Sequence, residues 1–148
     1  MQKVNLIHLQ YYETNFEKHP PPRNDFDVPI IIHSLRELYA KTYLVGKQIP
    51  KADKLGIHKE IENKVIQTFS LGITAIYENP KNKIMVLERL RIELEVLKQL
   101  TRAEYEIHII TEKSYLQISK ILQESSKQTN GWIKYLKTQN PTIQAGLF

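Results

Sequence analysis

From residue 29 onward, apolar side chains recur in steps of three and four, and the repeat breaks only at Pro50, at Asn79-Pro80, near Thr111 and at Asn140-Pro141. That spacing is the period of an amphipathic α-helix, and it excludes the two-residue alternation of a half-buried strand. The first segment carries Ile31, Leu35, Leu38, Thr42, Val45 and Ile49 on one face, with Asp27 placed to cap and Pro29 to open it. Residues 51 to 56 read as a short polar connection. The second segment carries Ile57, Ile61, Val65, Phe69, Ile73 and Ile76, and the third, from about Lys81 to His108, carries Leu87, Leu90, Leu94, Leu97 and Tyr105. Thr111 is placed to cap a fourth, with Tyr115, Ile118, Leu122, Trp132 and Leu136 inward. Four such segments with connections of a few residues predict an all-α fold, an antiparallel four-helix bundle over residues 29–138. Residues 139–148 form a C-terminal tail.

Residues 1–28 are a separate N-terminal extension. They end in His19-Pro20-Pro21-Pro22, which favours extended backbone. The Lys3–Tyr12 stretch reads equally as a short strand or as an arm. The extension carries −1, so the formal +5 of the 148-residue chain becomes +6 over the remainder. No run of 18 apolar residues spans a membrane, and the first residues lack the pattern of a cleaved leader. Cysteine is absent, which excludes disulfides and thiolate ligands.

Two helices carry more than a bundle core requires. On the third, Met85, Ile92, Val96, Ala103 and Ile107 form a second apolar row, spaced 7, 4, 7 and 4. A helix apolar on two sides is buried on two sides, so this row is expected to be an oligomer interface or to lie under the extension. Between the two rows lie Arg91, Lys98 and Arg102, with Glu88 and Glu95 beside them, which reads as an ion-paired edge or a phosphate site. On the fourth helix, Lys113, Lys120, Lys127 and Lys134 recur every seven residues, opposite the apolar face. The row spans about 30 Å. It suits a polyanion contacted through phosphates, by shape and charge more than by base sequence.

Catalytic and cofactor patterns are missing. The sequence has no P-loop, dinucleotide-binding glycine pattern, HExxH or G-x-S-x-G, and its five histidines show no metal-ligand spacing. Glu104 and His108 read as a helical polar pair, and Glu60, Glu62 and Asn63 as a solvated face. Tyr39, Tyr43, Tyr77 and Trp132 read as core or interface rings first, and as base-stacking rings second. The chain is therefore expected to be non-enzymatic, without metal or cofactor.

The order of several short motifs is recognisable. They are Leu38-Tyr39, the Ile49-Pro50-Lys51-Ala52-Asp53-Lys54-Leu55-Gly56 turn, Glu60-Ile61-Glu62-Asn63, Leu97-Lys98-Gln99-Leu100-Thr101-Arg102, Thr111-Glu112-Lys113-Ser114-Tyr115, and Asn130-Gly131-Trp132-Ile133-Lys134-Tyr135-Leu136. Over residues 30 to 138 they resemble the Avd family, the accessory variability determinants of diversity-generating retroelements. These are related to four-helix-bundle proteins encoded in intervening sequences of bacterial large-subunit ribosomal RNA genes. The resemblance implies a cytoplasmic pentameric ring that associates with a reverse transcriptase and its template RNA, with cDNA a further ligand, and supports mutagenic copying. It implies nucleic-acid roles for Lys98 and Arg102, and Lys134 matches the family's Gly-Trp-Ile-Lys ending. The alternative it leaves open is the ribosomal-intervening-sequence type, an RNA-binding or structural oligomer without a polymerase partner.

Overall fold

The computed structural model describes residues 28–139. The Lys3–Tyr12 stretch, the triple proline, the Asp27 cap, Asn140-Pro141 and the tail lie outside the described residues. Within them the helices are α1 (Ile30–Gly46), the single turn α2 (Lys51–Lys54), α3 (Ile57–Tyr77), α4 (Pro80–Glu106) and α5 (Glu112–Gln139), with no strand. The stretch expected to be a plain polar connection thus contains a helical turn, set off by the fixed backbone angle of Pro50.

α1 and α4 each pack on α3 and α5, so α1 sits diagonally across the bundle from α4. Cross-helix pairs fix antiparallel neighbours: Lys64 of α3 meets Glu93 of α4 at 2.7 Å, and Lys137 of α5 meets Glu88 of α4 at 3.5 Å. The core is the expected apolar stripe. Ile31, Leu35, Leu38 and Val45 of α1 meet Ile61 and Val65 of α3, Leu87, Leu90, Leu94 and Leu97 of α4, and Ile118, Leu122, Trp132 and Leu136 of α5, all buried. Burying a side chain of this size stabilises the fold by roughly 1.5–3 kcal/mol.

The helix ends follow their local chemistry. Asn79 caps α4 by accepting from the Asn82 amide at 3.0 Å, and Pro80 occupies the first turn, where no amide is needed. Thr111 caps α5, its Oγ1 accepting from the Ser114 amide at 3.1 Å. Pro29 does not open α1 from inside the first turn; it precedes the first helical residue with an extended ψ of 144° and no side-chain cap.

α4 also stops sooner than its apolar spacing suggests. His108 adopts φ 63°, its amide donates to the Tyr105 carbonyl at 2.9 Å, and the Ile109 amide donates to the Glu104 carbonyl at 3.0 Å. This paired arrangement turns the chain off the helix through one left-handed residue, a place usually held by glycine. Below the turn, the Tyr105 and Tyr115 rings stack at 4.7 Å between centroids and 8° between planes, joining α4 to α5. Substituting His108→Gly removes the side-chain strain of the left-handed conformation and is expected to raise unfolding stability by about 1 kcal/mol. His108→Val should lower it. Urea denaturation of both variants checks the pair.

Candidate nucleic-acid interface

The seven-residue spacing on α5 keeps Lys113, Lys120, Lys127 and Lys134 in register, and all four are exposed. Ser114, Ile118, Leu122, Ser125, Thr129, Trp132 and Leu136 of the same helix are buried. α5 thus turns one face to the core and a lysine row to solvent.

The basic trio of α4 has a different character. Arg91 bonds Glu88 at 2.6 Å, Lys98 bonds Glu95 at 2.6 Å, and Arg102 bonds Glu106 at 2.7 Å. Each cation is thus paired with an acid one helical turn away. The hydrogen bond from Arg102 to Glu106, with the carboxylate's charge, raises the guanidinium pKa further. The trio is an ion-paired edge in this geometry. Exposed pairs of this kind are worth little, so an incoming phosphate competes for these cations at low cost.

Beside that edge, Met85, Ile92 and Ile107 are 65%, 58% and 60% exposed, while Val96 and Ala103 are half-buried. Three of the five side chains of the second apolar row thus lie open among the described residues. Arg91, Ile92, Glu95, Val96, Gln99 and Leu100 of α4, with Asn130 of α5, line a shallow groove along it.

The feature missed by sequence reading lies inside the bundle. Glu104 does not pair with His108. It is fully buried, and its Oε1 lies 2.6 Å from Nδ1 of His58, itself fully buried. Nε2 of His58 lies 3.0 Å from the Thr42 carbonyl and 3.7 Å from Oε1 of Glu62. Glu62 is therefore not on a solvated face; its side chain is 13% exposed and turned toward the imidazole. Glu60 and Asn63 are exposed as expected.

Both ring nitrogens of His58 meet acceptors, an arrangement satisfied by an imidazolium donating from each. Burial lowers the His58 pKa, but the hydrogen bond and charge of Glu104, the Thr42 carbonyl and the Glu62 charge together outweigh it, and the net shift is upward. Gly46 is part of this construction. A Cβ there would lie 2.7 Å from Nε2 of His58, so only glycine lets the end of α1 close on the ring. The cluster ties α1, α3 and α4 together at one end of the bundle. The second carboxylate oxygen of Glu104 and the Thr101 hydroxyl are buried without a hydrogen-bond partner among the described residues. No group of three or more metal-ligating side chains occurs among them either.

A family model described as bAvd-like matches residues 29–136, the helical part from the start of α1 to the last turns of α5. The chain belongs to the bAvd-like family. No curated protein and no solved structure matches it. The matched segment contains the lysine row, the basic edge, the second apolar row and the His58–Glu104 pair.

The buried pair sets a pH dependence of stability for this bAvd-like bundle. The folded state holds the His58 proton more tightly than the unfolded chain. The resulting stability is fully present below the unfolded imidazole pKa, about 6.5, and is lost as pH rises through the raised folded value. His58→Leu alone strands Glu104 in the core and is expected to cost about 3–5 kcal/mol. The double substitution His58→Leu with Glu104→Leu should recover most of that loss and flatten the pH profile. Urea titrations across the neutral range measure both effects.

Proposed function

We propose that this chain is a non-enzymatic accessory subunit that binds template RNA and a reverse transcriptase in the cytoplasm, and so supports mutagenic cDNA synthesis in a diversity-generating retroelement. The observation that carries the reading is membership of the bAvd-like family over nearly the whole helical bundle. Two surface features support it. The exposed α5 lysine row provides regularly spaced cations for phosphates. The paired basic edge of Arg91, Lys98 and Arg102 runs along α4 as a secondary contact that exchanges its acids for phosphates.

The second apolar row on α4 supports a homo-oligomer, which we take to be a pentameric ring. Met85, Ile92 and Ile107 are long apolar side chains in regular register, and burying them between copies removes them from water. Oligomerisation multiplies the lysine rows. Weak contacts on several subunits then act together, because each later contact forms at high effective concentration. In this mechanism the ring organises template RNA electrostatically beside the polymerase and performs no chemistry itself. No described helix is long and apolar enough to cross a membrane.

The lysine row is tested by replacing Lys113, Lys120, Lys127 and Lys134 with Gln together. RNA affinity should fall, and the slope of log affinity against log salt should become shallower by up to about 3 for single-stranded RNA. An unchanged slope in a folded variant removes the row from the interface. Ile92→Glu should convert the oligomer to smaller species in sedimentation velocity while helicity is retained; an unchanged distribution removes the α4 row from the assembly. Copurification with the neighbouring polymerase tests the partner. An RNA-binding oligomer that never captures a reverse transcriptase is instead the ribosomal-intervening-sequence type.

A further inference from the structure

α1 carries a surface that neither the lysine row nor the apolar row accounts for. At about 100° per residue, Arg36, Tyr39, Ala40, Tyr43 and Lys47 fall within about 60° of one direction. Leu35, Leu38, Thr42 and Val45 hold the core-facing side. The strip flanks that side, with Tyr39 and Tyr43 along its core-ward edge, and all five of its residues are exposed. Tyr39 and Tyr43, 42% and 44% exposed, stack with centroids 6.5 Å apart and planes within 20°. Lys47 places Nζ 5.1 Å from the Tyr43 centroid. Within this arc there is no acid: Glu37, Leu44 and Gln48 lie together along one flank.

Exposed near-parallel rings bounded by cations at both ends match a defined chemistry. Bases stack on aromatic faces, and the adjoining phosphates need positive charge. We infer that the Arg36–Lys47 strip of α1 is a stacking platform for single-stranded RNA, with bases on Tyr39 and Tyr43 and phosphates on Arg36 and Lys47. This inference rests on the reading above that the chain binds RNA, and it adds the form of RNA recognised there. A duplex keeps its bases inside the stack, so the strip selects unpaired segments. The ring pair also favours RNA over an apolar protein partner, because its cations lie on the same arc as the rings and the acid lies outside it. α1 is diagonal to α4, so the strip and the Met85, Ile92 and Ile107 row lie on different sides of the bundle.

The test uses the full chain and two probes, an unstructured oligoadenylate and a blunt RNA duplex, each titrated across a salt series. Tyr39→Ala with Tyr43→Ala should weaken oligoadenylate binding by about fivefold or more per ring, with salt slope and duplex affinity unchanged. Tyr39→Trp with Tyr43→Trp should retain or improve it. Both residues are surface-exposed, and circular dichroism confirms that the variants fold. Oligoadenylate affinity unchanged in the alanine variant, while the lysine-row variant loses it, overturns the platform and leaves the RNA-binding reading intact. Wild-type binding in Tyr39→Leu with Tyr43→Leu overturns it as well, since leucine supplies an apolar surface without a ring face. Loss of polymerase capture with RNA affinity intact assigns the strip to a protein partner and overturns the inference. A wild-type chain that binds neither probe overturns both readings.

Discussion

Everything on this molecule's surface depends on a narrow apolar stripe that four helices must bury against one another. Leu87, Leu90, Leu94 and Leu97 show the constraint at its strictest, since all four point to the same axis and are fully buried. Once that stripe is satisfied, the outer arcs of α1, α4 and α5 carry little of the core packing, apart from cross-helix pairs such as Lys64–Glu93 and Lys137–Glu88. A bundle core uses about one-third of each helix surface. The remainder can carry charge, rings or a second apolar row without destabilising the monomer. The Met85–Ile107 row, the α5 lysines and the α1 tyrosine strip occupy three such arcs.

The stripe is interrupted once by charge, and that interruption organises one end of the bundle. His58 stands three residues before Ile61 on the inward face of α3, and Glu104 continues the Leu94, Leu97, Thr101 series on α4. Two ionisable groups thus occupy core positions; Glu104, the Thr42 carbonyl and the nearby Glu62 meet both nitrogens of His58, while one Glu104 oxygen has no hydrogen-bond partner among the described residues. A pair of leucines would fill similar space at lower desolvation cost. What the ionic pair adds is direction. The imidazole meets a carboxylate of α4 on one side and a carbonyl of α1 on the other, and Gly46 permits α1 to approach closely enough to complete the contact.

How far this could be read in advance divides along the same line. The four long helices, the core face, the Thr111 cap and the Asn79-Pro80 break follow from local rules, and each involves residues within one or two turns, while the turn at Lys51–Lys54 was not foreseen. The His58–Glu104 pair joins residues 46 apart, so no local rule connects them. Local reasoning instead offered Glu104 the residue four ahead, His108, which the left-handed turn carries off the helix. The available signal was positional: a histidine and a glutamate each on an apolar stripe, one at the start of α3 and one at the end of α4, in helices that run antiparallel. The basic trio was legible as an edge, and its acids Glu88 and Glu95 were visible beside it, while Glu106 as the partner of Arg102 was not. The exposure of Tyr39 and Tyr43 followed from the core-facing arc of α1, which excludes them, but rings at helical spacing read as core or interface first.

The division of labour among the three arcs has a physical logic. Lysines on α5 attract any polyanion over distances of about a Debye length and do not discriminate among bases. In the inferred platform, rings on α1 would act only at contact, and only on bases that are already unpaired. The proposed role of the apolar row on α4 is to set how many copies of the other two surfaces are held together. Under the proposed function, affinity, selection for unpaired segments and copy number are set on separate helices. Most of the residues that define these arcs are exposed and lie outside the core stripe.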